Sequence, residues 1–297
     1  MAFQAAMLNK THTHIGIIFT MYDLFATDDP VKLPTRQNIS AYQYGKWEEL
    51  ILKIPDESID LLYTDPPYGM NYLSNIPGSS NWNKNPETST KFEKPILNDN
   101  KCDIDWKSFA YQAYRVLKPN SFFILHCNIE FIGRNFWTFN NDSECEQILD
   151  EQYEEKANFK YKGTIAWAKK FAIGGDLKGA MKRDWEPILY FAKGKPIFRP
   201  IFVRRDGIMS ERKRISEIDD WTFQLKSTDK TGFPTQKPRD LCKQIIELTT
   251  DKDNTVLDPF SGSGTISSCA TEIGRTGVSF EADKEVYEKF NKNFAYS

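Results

Sequence analysis

The segment "NTVLDPFSGSGTISSCATEIGRTGVSFEAD", Asn254 to Asp283, constrains the fold most. An apolar run ends at Asp258. A turn with glycines at 262 and 264 follows, then an amphipathic stretch, then a second apolar run ending at Glu281. The periods predict strand over "NTVLDPF", helix over "ISSCATEIG" and strand over "GVSFEAD". Glycine lets a backbone approach a ligand closely. A carboxylate at the second strand end can accept both hydroxyls of a ribose. The turn lacks the G-x-G-x-x-G spacing, and Thr265 follows Gly264 where a P-loop has lysine. A nucleoside with a small charged tail therefore fits better than a phosphate ligand. A tight turn with an incidental surface acid is the plainer alternative.

The rest of the chain extends the same alternation. "NISAYQY" reads as a strand. "KWEELILKI" suits a short amphipathic helix, because Trp47, Leu50 and Ile51 share one face. "SIDLLYT" is the next strand, "WKSFAYQAYRVL" a helix stopped at "KPN", and "SFFILHC" a buried strand. "GTIAWAKK" and "WEPILYFAKG" are strand-like, and "RDLCKQIIELTT" is a helix. Strands alternating with helices predict an α/β fold with a doubly wound, mostly parallel sheet. Residues 71–100 are rich in Asn, Ser, Pro and Gly, and a loop that long is usually functional. It is expected to close over a ligand. "PTQKP", Pro234 to Pro238, either starts a helix or folds Thr235 to Lys237 over the ligand's charged tail.

A second site opens at "LLYTDPPYGM", where a buried strand runs into Asp65, Pro66, Pro67 and Tyr68. The carboxyl ends of parallel strands are where open α/β sheets place their chemistry. The prolines fix the backbone in an extended path. The Asp65 carboxylate and the Pro66 carbonyl can accept the two N–H bonds of an exocyclic amine, with Tyr68 stacked on the attached ring. Two acceptors favour the pyramidal nitrogen needed for attack, so no covalent nucleophile is required. A proline-terminated strand with a solvated acid is the alternative.

Composition narrows the class. The formal charge of the 297 residues is −2, so any attraction to nucleic acid must be local. From Lys193 to Arg214 eight residues are basic, against Asp206 and Glu211. Arg199, Arg204, Arg205, Arg212 and Arg214 are the candidate nucleic-acid contacts. The five cysteines are scattered without C-x-x-C spacing, which predicts reduced thiols, a cytoplasmic protein and no metal. No run approaches the roughly 18 apolar residues of a membrane span.

Together these residues resemble a known family, the amino-group DNA methyltransferases in their circularly permuted β-type order. There a D-P-P-Y catalytic motif precedes a target-recognition region, and an F-x-G-x-G motif that binds S-adenosylmethionine follows. Here "DPPY" spans 65–68 and "FSGSG" spans 260–264. "PTQKP", "FEADKEVY" and "RDWEPILYFAKG" are similar to flanking motifs, and the resemblance covers residues 36–297.

The resemblance implies a Rossmann-like methyltransferase sheet with a small inserted recognition region. Its expected parts are an N-terminal segment (1–35), a catalytic part (36–194), the recognition region (195–231) and a cofactor-binding part (232–297). It implies methyl transfer to the N6 amine of an adenine flipped out of double-stranded DNA and held by Asp65, Pro66 and Tyr68, with Pro67 completing the motif. Phe260, Gly262 and Gly264 would wrap the methionine part of S-adenosylmethionine, with Asp258, Ser261, Thr265 and Thr235 in the same set. Glu281 would bind the ribose, and Lys237 would lie near the carboxylate end. The Asp258 strand should lie beside the Asp65 strand. One departure is Lys46, which stands where many members carry an acid that contacts the cofactor adenine; the backbone or Glu48 is the substitute. Cytosine-N4 methylation, RNA adenine methylation and an inactive nucleic-acid-binding subunit are the competing readings. Aspartate at the first motif position favours adenine, since cytosine-N4 enzymes usually carry serine there. A second copy of the chain and a cognate restriction endonuclease are the further candidate partners, and no membrane is expected.

Overall fold

The computed structural model describes residues 41–68, 104–128, 132, 157–169, 184–205, 208–215, 218 and 220–293. The expectations for residues 1–35 and for the 71–100 loop lie outside them.

Seven strands form the main sheet: β1 (Ala41–Tyr44), β2 (Ile59–Thr64), β3 (Leu117–His126), β4 (Lys160–Ala168), β5 (Trp185–Lys193), β8 (Thr255–Asp258) and β9 (Thr276–Glu281). Their order is β1-β9-β8-β2-β3-β5-β4. The first five in that order are parallel, and β5 runs antiparallel to both β3 and β4. The expected mostly parallel sheet is present. So is the expected neighbour relation, because β8 pairs with β2 through Leu61↔Val256 and Leu62↔Leu257. Distant parts of the chain thus meet in the sheet's centre.

The helices are α1 (Trp47–Leu50), α2 (Trp106–Val116), α3 (Arg239–Thr249), α4 (Thr265–Glu272) and α5 (Lys284–Phe290). Side chains of a strand point alternately to its two faces. Leu62, Phe123, Leu125 and Leu257 point to one core, shared with Trp47, Phe109 and Val116 of α1 and α2. Leu61, Tyr63, Phe122, Ile124 and Val256 point to the other, shared with Leu241, Ile245 and Cys269 of α3 and α4. Covering both faces explains why the central strands are apolar throughout. Asp105 caps α2 by accepting from the Lys107 and Ser108 amides, and Asp283 caps α5 in the same way through Glu285 and Val286.

Helix α2 ends at Val116, yet "LKPN" joins the strand rather than a loop, since β3 begins at Leu117. Residues 195–231 contain a second, two-stranded sheet, β6 (Ile201–Arg205) with β7 (Ile208–Lys213). Its register places Arg205 opposite Ile208 and Arg204 opposite Met209.

Candidate active site

Four strand ends converge at the carboxyl edge of the sheet. Asp65 follows β2, His126 ends β3, and Lys169 follows β4. Because β5 is antiparallel, its start returns to the same edge, bringing Glu186 opposite Trp167. Lys237, just before α3, enters from the face.

These groups form one charged cluster. The Lys237 Nζ lies 2.9 Å from Asp65 Oδ2 and 3.3 Å from Glu186 Oε2. Lys169 pairs with the other oxygen of Glu186. The Lys237 ammonium also sits 5.7 Å from the ring centres of Tyr68 and Trp167. The Tyr68 hydroxyl donates to Asp65 Oδ1 at 2.5 Å. Burial alone would depress Lys237, but Asp65 and Glu186 outweigh it and raise its pKa. Burial would raise Glu186, but Lys237 and then Lys169 outweigh it and hold the carboxyl at about 2. Asp65 goes the other way. Its burial cost exceeds the pull of Lys237 and Tyr68, so its pKa is raised. Pro66 is buried, and Pro67 and Tyr68 are half-buried.

Beneath the cluster, the Tyr63 hydroxyl is 2.9 Å from His126 Nε2. His126 is fully buried, and desolvation keeps it neutral.

The glycine turn follows β8, the strand next to β2. Gly262 and Gly264 take φ values of 52° and 70°, in the left-handed region that side chains disfavour. A Cβ on Gly262 would come within 2.6 Å of the Phe233 ring. The Tyr42 hydroxyl donates to the Gly262 carbonyl at 2.6 Å. Glu281 accepts from the Asp283 amide at 2.7 Å, and the Gly262 backbone also supports its carboxylate. Asp258 accepts from the Thr64 hydroxyl at 2.6 Å and from the Phe260 amide at 3.2 Å, which fastens β8 to β2. Burial pushes the carboxyls of Asp258 and Glu281 up to about 7. Among the described residues no lysine or arginine pairs with either.

The sequence-derived residues therefore separate by what they touch. Asp65, Tyr68, Gly262 and Glu281 stand at the carboxyl edge. The hydroxyls of Ser261 and Thr265 are already engaged, with the Phe280 carbonyl at 2.7 Å and with Ser263 at 3.0 Å. Phe260 packs its ring on Phe109 and Trp47. Thr235 is half-buried, whereas its neighbour Gln236 ties the loop together through Thr231 and Asp229. Lys237 was expected near the cofactor's carboxylate end; in the structure it contacts Asp65. Lys46 and Glu48 are both exposed.

Two of the eight basic residues of 193–214 are spent inside the fold. Lys193 is buried and donates to the carbonyls of Tyr114 and Leu117. Arg199 donates to the Thr249 carbonyl and pairs with Asp251 at 2.7 Å, stapling the end of α3. Arg199 was expected to contact DNA; its guanidinium is engaged within the fold. Arg214 is exposed, and the side chains of Arg204, Arg205 and Arg212 lie outside what is described.

Glu186, Lys169 and Trp167 were missed in the sequence. Cys127, Cys242 and Cys269 are free and buried, as expected of reduced thiols. Among the described residues no group of acids, histidines and cysteines is arranged to hold a metal, and no helix is long and apolar enough to cross a membrane.

Known proteins resemble this chain in sequence and fold. A family model described as DNA methylase (N6_N4_Mtase) matches residues 59–292. The Type II methyltransferase M.BglII of Bacillus subtilis is 27% identical over 287 residues, covering 87% of this chain and 70% of that protein. The Type II methyltransferase M2.LlaDCHI of Lactococcus lactis subsp. cremoris is 29% identical over 271 residues, covering 84% and 88%. Among solved structures, PvuII DNA methyltransferase (cytosine-N4-specific) matches with a TM-score of 0.58 at 18% identity, covering 90% of each chain. The M1.HpyAVI–SAM complex matches at 0.52 with 21% identity, covering 86% of this chain and all of that one. At such identities the structural likeness speaks for the fold.

Proposed function

This chain belongs to the DNA methylase family, and from that premise we propose that it methylates the N6 amine of adenine in double-stranded DNA, using S-adenosylmethionine. The observation that carries the reading is Asp65, a half-buried acid at the end of β2 followed by Pro66 and Pro67. The fold itself also serves a cytosine-N4 enzyme, so the target base is argued from this residue.

The residues present fit the cofactor. Two carboxyls, the buried Asp258 and the half-buried Glu281, end adjacent strands without a cationic partner among the described residues, and the left-handed glycines leave backbone close to them. A ribose diol donates hydrogen bonds, which is what Glu281 lacks cations to supply. Asp258 acts from behind by holding the turn. When bound, S-adenosylmethionine supplies an electrophilic methyl group.

The chain's own work is to prepare the amine. Asp65 and the Pro66 carbonyl accept its two N–H bonds, which localises the lone pair on nitrogen. Positive charge builds on that nitrogen beside the carboxylate as the N–C bond forms, and the nitrogen then passes its proton to solvent water. The Tyr68 hydroxyl must leave Asp65 for its ring to lie on the base. Reaching the amine in a duplex requires the base to be extruded. The β6–β7 hairpin, with Arg204, Arg205, Arg212 and Arg214, supplies phosphate and base contacts. In keeping with its Type II relatives, the enzyme would protect a short site against a cognate endonuclease.

The test is incubation with methyl-labelled S-adenosylmethionine and duplex DNA, RNA or protein, followed by hydrolysis to nucleosides. Label in N6-methyladenine from DNA is expected. Label in N4-methylcytosine, or in RNA or protein alone, would overturn the reading.

A further inference from the structure

We propose that Lys237 is a positioning residue for Asp65, gripping one carboxylate oxygen and leaving the other for the target amine, and that Glu186 anchors Lys237 in that place. The proposal rests on the reading of Asp65 as the residue that meets the amine.

The geometry assigns the parts. Lys237 is 7% exposed and spans two acids from different strands, 2.9 Å from Asp65 Oδ2 and 3.3 Å from Glu186 Oε2. Its contact is on Oδ2, whereas Tyr68 holds Oδ1. A carboxylate oxygen has two lone pairs, so Oδ1 can receive the amine once the tyrosine withdraws, while Oδ2 stays fixed. The Tyr68 and Trp167 rings flank the ammonium. Lys169 neutralises the far side of Glu186, so the two acids and two lysines sum to zero charge.

The need for a cation is electrostatic. A buried carboxyl takes up a proton unless a positive neighbour holds it ionised. A protonated Asp65 would lose one acceptor oxygen. Desolvation already pushes Asp65 upward with Lys237 in contact, so removing the ammonium would push it further up and favour the protonated acid. The other titratable groups facing Lys237 are Tyr68, Cys127, His126, Lys169 and Glu186, and burial pushes the Cys127 thiol up to about 12. His126 is buried neutral and Glu186 stays ionised, which leaves Asp65 as the group whose charge Lys237 controls.

The experiment is the pH profile of single-turnover methyl transfer to duplex DNA, with S-adenosylmethionine affinity measured separately, for wild type, Lys237→Met and Lys237→Arg. The expected result for Lys237→Met is a rate at least tenfold lower at pH 7 that recovers toward pH 9, with cofactor affinity within threefold of wild type. Lys237→Arg, which keeps the charge, should restore most of the rate at pH 7. If Lys237→Met does not fold, the double variant Lys237→Met/Glu186→Gln removes the second stranded acid and carries the same expectation. A loss of cofactor affinity of tenfold or more with an unmoved pH profile would overturn the proposal and return Lys237 to the cofactor's carboxylate. A wild type that transfers no methyl group to DNA would instead sink the reading of the function, before any variant is compared.

Discussion

Two pairs of acids stand at the same edge of the sheet and have different neighbours. Asp65 and Glu186 share Lys237, and Glu186 also has Lys169. Asp258 and Glu281 face hydroxyls and amides but no cation among the described residues. The outcome is visible in Glu186, held at about 2, against Glu281, pushed up to about 7. Both are glutamates at strand ends; their neighbours make the difference. A carboxylate with its counter-ion in place is ready for an amine that becomes positive. A carboxyl without one waits for donors that a ligand must bring.

The sharpest way to break this comparison is Asp65→Ala. Losing a preorganised acceptor should cost about 3 kcal/mol at the transition state, more than a hundredfold in rate, with cofactor binding retained. Single-turnover kinetics beside calorimetric titration would show it. Retained turnover within about tenfold of wild type would mean that the paired acids do not meet the amine.

Gly262→Val should come next and on the other side. The residue would be forced into a left-handed φ at a cost of roughly 1–2 kcal/mol, and its Cβ would strike Phe233. Weakened cofactor affinity with a normal rate at saturation is expected.

The hairpin supplies a comparable effect on DNA. Alanine at a base-reading arginine among Arg204, Arg205, Arg212 and Arg214 should cost about 1–3 kcal/mol and relax specificity at one position. At a phosphate contact it should lower the salt slope by about one. Arg199→Ala should instead lower thermal stability and leave the salt slope alone, because its guanidinium holds Thr249 and Asp251. Binding over a salt series separates the two classes.

The smallest effect is on stability. The pKa values of Asp258 and Glu281 are raised in the folded state, from 3.8 and 4.5 to about 7. Their contribution is complete below the unfolded values and is lost as pH rises through 7. Glu186 is depressed from 4.5 to about 2, so its contribution is present above 4.5 and is lost as pH falls toward 2. The ligand-free protein should therefore melt a few degrees higher at pH 6 than at pH 8, and Asp258→Asn should flatten that slope. A melting temperature that climbs with pH over this range would contradict the burial account.

Much of the site was legible because it is punctuated locally. Pro66–Pro67 after "LLYT" and the glycines after "VLD" mark strand ends by backbone chemistry alone, which placed Asp65, Gly262 and Glu281 before any fold was known. Glu186 carries no such mark. It lies one residue into a continuous strand, and it reaches Asp65 only because β5 turns antiparallel, a pairing set by residues far away in the chain. Lys237 was visible as a functional lysine, but its direction depends on how α3 docks. Arg199 and Lys193 counted as surface charge in the sequence, yet both satisfy carbonyls at the ends of helices and strands.

The most direct test of the contrast between paired and unpaired acids is proton counting during S-adenosylmethionine binding, by calorimetry at pH 7 in buffers of different ionisation enthalpy. Hydrogen bonds from a ribose diol favour the ionised carboxylate, so wild type should release protons on binding, and Glu281→Gln should release fewer and bind more weakly. Asp65→Asn should release as wild type does. No proton release from wild type, or release abolished by Asp65→Asn and kept in Glu281→Gln, would contradict the assignment of the unpaired acids to the cofactor.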